Sequence, residues 1–326
     1  MFRNINVSVS PHIRDKRTTR NIMLDVCIAL FFPLAAGIYA YGINALIVAV
    51  LCVATCLLSE LIFQVALKKK VTLGDLSALV TGLILAVNLP ASVPWFIPVL
   101  GGVFAIIVVK QLFGGLGQNF MNPALGARCF LVISFAKLMT DYSTDINYLF
   151  GKPDAVTSAT PMAMVKGGEV TNWFDMLVNT HAGCIGEVSA IAILIGAAYM
   201  IIRRVIDVKI PFIYIASTLC FVALIQTIKG ESISFDYMMV QLCGGGLLIG
   251  AFFMATDYVT SPITNKGKVV YALILGLMTS LIRTVSPSNE GVSYSIIIGN
   301  MLTPLIEKFT VPKPFGYKKG AVKWKL

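Results

Sequence analysis

"IPVLGGVFAIIVVKQLFGGLGQNFMNPALGARCF", residues 97–130, holds two apolar runs separated by a break of Gly, Gln, Asn and Pro. Residues 267–300, "GKVVYALILGLMTSLIRTVSPSNEGVSYSIIIGN", repeat that layout: an apolar run, a Gly/Pro/Asn break, then a second run. Neither stretch alternates apolar and polar residues as a half-buried strand does, and the runs approach the roughly 20 residues that a helix needs to cross a bilayer. The same pattern, met twice, points to a helical membrane protein built from two related halves.

The rest of the chain agrees. Its 326 residues are 57% apolar and 13% charged, with a mean hydropathy of +0.82. A soluble domain carries about 25% charge, so a soluble enzyme is excluded. Ten apolar segments can be marked: 21–40, 43–67, 73–89, 95–113 and 123–140, then 186–202, 210–228, 237–256, 269–286 and 291–308. The expected fold is an all-α polytopic bundle. Its parts are a tail (1–20), a five-helix repeat (21–140), a polar loop (141–185), a second five-helix repeat (186–308) and a basic tail (309–326).

Charge gives the orientation. The first 20 residues are basic and polar, without the apolar core of a signal peptide, and read as a cytoplasmic tail. With that end inside, 21 of the 26 Lys and Arg fall on the cytoplasmic side, and only Lys137, Lys152, Lys166, Lys229 and Arg283 on the other. The net charge of +10 therefore reports membrane topology rather than nucleic-acid binding. The loop 141–185 is expected outside and both termini inside. Five spans per half make the second half enter from the opposite face, an inverted repeat. Each half also has a broken segment, "GLILAVNLPASVP" and "FFMATDYVTSP", where helix ends and free backbone groups meet the membrane interior.

Few residues suggest chemistry within the bundle. Seven scattered cysteines show no C-x-x-C, and the only histidines, His12 and His181, fall on opposite sides of the membrane, so neither a metal centre nor a His-based triad is expected. No Walker A loop occurs, and the glycines of "LFGGLGQN" do not follow a strand. Asp25, Glu60, Asp75, Lys110, Arg128, Asp257 and Arg283 are intramembrane charges, most near span ends where a long side chain reaches the interface. Asp257, with Asn88 and Asn122 at the other breaks, marks a candidate intramembrane polar site.

The polar loop supplies the stronger signal. Asp154, Ala155, Val156, Thr157, Ser158, Ala159 and Thr160 resemble the flavinylation motif Asp-Gly-x-Ser/Thr-Gly/Ser-Ala-Thr/Ser, with Ala155 in place of the usual Gly. Together with "SPHI" (10–13), "GLILAVNLP" (82–90), "GQNFMNPALGARCF" (117–130), "IGEVSAIAILIG" (185–196), "FFMATDYVTSP" (252–262) and "NEGVSYSIIIGNMLTPLIE" (289–307), it makes the whole chain resemble the family of the Rnf complex D subunit. The B subunit of the sodium-translocating NADH:quinone reductase is a longer relative of that family. The resemblance implies ten helices in a urea-transporter-like inverted repeat. It implies a membrane subunit of a translocase moving electrons between ferredoxin and NAD while Na+ or H+ crosses the membrane. FMN would be joined through a phosphoester to Thr160, with Asp154, Thr157, Ser158 and Ala159 forming the recognised motif. A second, non-covalent flavin such as riboflavin would lie in the bundle. An exported flavin transferase, a second flavinylated subunit and further membrane subunits would be the partners. A covalent tether outside the membrane keeps a redox centre from being lost to the medium. The rival expectations are a solute channel or secondary transporter of the same fold, or a cofactor-free scaffold subunit.

Overall fold

The computed structural model describes residues 17–142, 162, 164, 174, 177, 183–230, 234–285 and 291–312, and all the regular structure among them is helical. Thr18 caps α1 (Thr19–Tyr41) by accepting from the Asn21 N–H. Gly42 alone, at φ 66° and ψ −145°, turns the chain into α2 (Ile43–Ala66), a backbone conformation that a side chain would oppose. A short 3-10 turn, Leu73–Asp75, leads to α3 (Ser77–Val87), where the Asp75 carboxylate accepts from the Ser77 N–H and hydroxyl at 2.8 and 2.6 Å. Next come α4 (Phe96–Gln111), α5 (Pro123–Ser134) and a single turn, α6 (Ala136–Met139).

After the loop follow α7 (Ala190–Ile202), capped by Ser189, and α8 (Lys209–Lys229). Then α9 (Phe235–Cys243) and α10 (Leu247–Met254) meet at a 52° bend, and α11 (Asn265–Val285) and α12 (Gly291–Thr310) close the chain. Four of these helices, α1, α2, α8 and α11, are long and apolar enough to cross a membrane, and α9 with α10 makes a fifth if the bent pair is one span. The helices α3, α4, α5 and α7 are apolar but shorter. The protein is thus a polytopic membrane protein, all-helical among the described residues.

Several boundaries differ from the sequence expectation: the segment over 73–89 is α-helical only from Ser77 to Val87, and that over 123–140 is divided at Phe135 into α5 and α6. The segment expected from 186 begins its helix only at Ala190, because the Ile185 and Gly186 N–H groups bond at the end of α3, to Leu89 O (3.0 Å) and Val87 O (2.8 Å). The segment expected over 237–256 is not one helix, because Gly244, Gly245 and Gly246 interrupt it, the last two at φ 60° and 71°.

Packing depends on small residues. Between membrane helices there is no hydrophobic drive of the aqueous kind, so close approach and dispersion contacts hold the bundle. A Cβ on Gly82 of α3 would lie 2.8 Å from the Val53 Cα of α2, and one on Gly276 of α11 would collide with the Ser217 hydroxyl of α8. Outward faces carry large apolar side chains, with Ile202 79%, Ile228 76% and Ile133 74% exposed, the surface of a protein solvated by lipid or by partner helices.

Candidate cofactor cavity

The last turns of both α4 and α10 are π-helical: Leu112 N–H bonds Ile107 O, and Ala255 N–H bonds Gly250 O. In α4 the wider turn buries two successive polar residues, Lys110 and Gln111, and brings both to Glu60 of α2. π-turns of this kind recur at functional sites. Beyond α4 the glycines at 114, 115 and 117, all at positive φ, carry the chain back to Asn122, which caps α5 by accepting from the Ala124 N–H at 3.1 Å, with Pro123 in the first turn.

These ends line a half-open cavity of about 90 Å³. Ser77, Thr81 and Ile84 of α3 form one wall with Lys110; Asn119, Asn122 and Pro123 form another; Phe252, Phe253, Thr256 and Asp257 face them from the end of α10; Met23 and Val26 of α1 close the side. Apolar walls with a few convergent polar groups are the usual form of a small-molecule site. Asp257 accepts from the Thr260 hydroxyl at 3.0 Å. Asn122 uses its Oδ1 as a cap, while its Nδ2 donates no hydrogen bond among the described residues. With the Asn300 amide oriented to suit its neighbours, its oxygen accepts from the Asn122 N–H at 3.2 Å and its nitrogen donates to Tyr271 Oη at 2.8 Å, tying α5 to α11 and α12.

Of the intramembrane residues marked in the sequence, Asp257 and Asn122 therefore meet at one cavity. Asn88 does not line it. Its Oδ1 accepts from Arg128 Nη1 at 2.6 Å, and its Nδ2 donates to Ile84 O at 2.6 Å and approaches Met254 Sδ at 3.8 Å, so it is a cross-brace between the two broken segments. Asp154, Thr157, Ser158, Ala159 and Thr160 lie outside the described residues.

The expectation that the membrane charges reach the interface needs correction. Glu60, Lys110, Arg128 and Arg283 are 1–4% exposed and hydrogen-bonded inside the bundle. Lys110 Nζ donates to both Glu60 oxygens (2.9 and 3.0 Å) and to Ser77 Oγ (2.6 Å). Sequence reading missed Lys110, Asn119 and Thr256 as cavity residues; the signal for Lys110 was an unneutralised charge in an apolar run.

An isoalloxazine has an apolar benzenoid end and a polar pyrimidine edge, and the lining offers both kinds of surface. Phe252, Phe253 and Ile84 are apolar, and Asn119, Asn122, Thr81 and Thr256 carry hydrogen-bonding groups. The residues present fit such a group.

The match to known proteins covers almost the full length. A model of the family described as "NQR2, RnfD, RnfE family" matches residues 6–316. The chain belongs to the NQR2, RnfD, RnfE family. Within it, the chain is 45% identical over 321 residues (97% of this chain, 96% of the relative) to the D subunit of the Na(+)-translocating ferredoxin:NAD(+) oxidoreductase complex of Acetobacterium woodii. It is 37% identical, over 96% of each chain, to the D subunit of the proton-translocating ferredoxin:NAD(+) oxidoreductase complex of Clostridium ljungdahlii. Identity is 32%, over 96% of this chain and 99% of the relative, to the D subunit of the ion-translocating oxidoreductase complex of Aliivibrio salmonicida. The named ion differs between the first two relatives of this NQR2, RnfD, RnfE family protein.

Proposed function

We propose that this chain is the D-type membrane subunit of an ion-translocating ferredoxin:NAD+ oxidoreductase of the Rnf kind, and that it carries flavin. The observation that carries the reading is the end-to-end match at 45% identity to a subunit of that name. FMN is esterified to Thr160, in the loop whose motif includes Asp154, Thr157, Ser158 and Ala159. A second flavin is held non-covalently in the cavity beside Asn119, Asn122 and Asp257, supported by a lining that combines apolar side chains with hydrogen-bonding ones. When bound, flavin supplies electron transfer in one- or two-electron units; the chain supplies position and field. The other subunits of the complex, one of them flavinylated, and an exported flavin transferase are its partners.

In this reading the helices form ten spans in two inverted five-helix halves of urea-transporter type, with each broken segment counted as one crossing. Support comes from the repeated layout of residues 97–130 and 267–300 and from the basic residues. With Lys110 and Arg128 removed from one side and Arg283 from the other, as buried partners, 19 remain on the cytoplasmic side and 4 opposite. Both termini are then cytoplasmic, and the loop 141–185 faces the transferase outside the cell membrane.

The test uses the full chain produced alongside a working flavin transferase. On a denaturing gel it should fluoresce under ultraviolet light, and mass spectrometry of the peptide 153–166 should find an FMN-sized addition on Thr160, not on Thr157 or Ser158. Thr160→Ala should abolish the fluorescence while changing stability by no more than about 0.5 kcal/mol, as loop substitutions away from the core do. A colourless, non-fluorescent chain would overturn the proposal in favour of a solute channel or a cofactor-free scaffold.

A further inference from the structure

We infer that the Glu60–Lys110 pair gives the cavity an electropositive wall that favours the negative charge a bound cofactor gains on reduction, so that this pair sets the cofactor's potential. The inference rests on the flavin reading of the cavity.

Lys110 and Ser77 line the cavity and Glu60 does not. The pair is therefore a dipole with its ammonium end toward the ligand space and its carboxylate behind. Both ends are fixed. All three Nζ donors are used, two on Glu60 and one on Ser77 Oγ. The carboxylate also accepts from Gln111 Nε2 at 2.7 Å and Gln64 Nε2 at 3.2 Å, and Gln64 is held in turn by Thr72. With donors saturated, Lys110 acts on a ligand by field and not by direct hydrogen bond. Lys110 is 2% exposed and Glu60 1%, so little water screens that field, and a fixed charge a few ångströms from a ligand acts strongly in such surroundings. A purely structural pair needs no such polarity: turned round, with the carboxylate on the cavity, it would bind α2 to α4 equally well.

The experiment takes the full chain carrying Thr160→Ala, which leaves only non-covalent flavin, and measures that flavin's one-electron potential by mediated redox titration. Lys110→Met should move the equilibrium at least tenfold against reduction, about 59 mV for a one-electron step. Glu60→Gln should move it the other way, and Lys110→Arg should lie close to the starting protein. Since Lys110→Met strands a buried carboxylate, the double variant Lys110→Met/Glu60→Gln serves if the single one fails to fold, and should also shift against reduction. Opposite shifts from the two partners are a signature that damage to packing does not produce. Bound flavin whose potential moves the same way in both variants, or stays fixed, overturns the inference while leaving the cavity assignment intact. A Thr160→Ala chain that holds no flavin overturns the cavity assignment itself.

Discussion

Two buried cations sit at helix breaks in opposite halves of the chain, and they are neutralised in different ways. Lys110, in the π-turn of α4, faces a full carboxylate, Glu60, and the Ser77 hydroxyl at the start of α3. Arg283, near the end of α11, faces no carboxylate at hydrogen-bonding distance among the described residues. Its guanidinium donates to Gln241 O (2.7 Å), Gln241 Oε1 (3.2 Å), Gly244 O (3.0 Å) and Gly245 O (2.9 Å). Those carbonyls lie at the break between α9 and α10, where a helix end leaves acceptors without intrahelical partners. Arg283 is a structural keystone holding the bend, its planar fork matched to several oxygens at once. Lys110 belongs to a dipole on a cavity wall. Burial of a charge alone therefore does not mark a functional site; the nature of the partner and what lies beside it do.

The largest effect should come from splitting the ion pair. Lys110→Met leaves Glu60 buried and uncompensated, and breaking a buried pair in this way costs about 3–5 kcal/mol. Adding Glu60→Gln should recover most of that loss, because two apolar or neutral groups need no counter-charge. Thermal unfolding of the detergent-solubilised chain is the measurement. Equal instability of the single and double variants would show that Lys110 is held by packing and not by charge.

Arg283 should behave differently under the same logic. Arg283→Met strands carbonyl oxygens at about 1–3 kcal/mol each, partly relieved as the break relaxes, for an expected loss of about 3 kcal/mol. No side-chain substitution at a partner can rescue it, since most of the acceptors are backbone. Arg283→Lys should recover under half, because an ammonium cannot span the acceptors that the fork reaches. Full recovery by Lys would make Arg283 a point charge and erase the contrast with Lys110.

Much of this was legible in the sequence. Apolar runs located the long helices to within a few residues, and the Gly/Asn/Pro breaks located Asn122 and Asp257, which the fold brings to one cavity. Pairing was not legible. Glu60 and Lys110 are 50 residues apart, and only the packing of α4 on α2, with a π-turn at its end, makes them neighbours. Nor does a sequence reveal that Ile185 and Gly186 bond the end of α3, which delays α7 to Ala190. The place of Asn88 at a break suggests a site residue, but its partners, Arg128 and Met254, come from distant segments.

The smallest effect sharpens the comparison from outside the bundle. Lys268, in the first turn of α11, and Asp207, just before α8, form an ion pair at 2.7 Å, with side chains 20% and 34% exposed. The hydrogen bond from Lys268 holds the Asp207 carboxyl below its ordinary range, with burial opposing and the Lys209 N–H assisting. A depressed folded value means that the pair's stabilisation is present above the unfolded carboxylate pKa and is lost as pH falls through the folded one. Asp207→Asn should therefore cost no more than about 1 kcal/mol near pH 7, and less in high salt. Variant and starting protein should converge as the medium is acidified below the ordinary carboxylate range. Glu60, 1% exposed and enclosed by donors, should show no comparable salt dependence when replaced by Gln. A salt effect at Glu60 as large as that at Asp207 would mean that water reaches the buried pair, and the dipole on the cavity wall would be screened away.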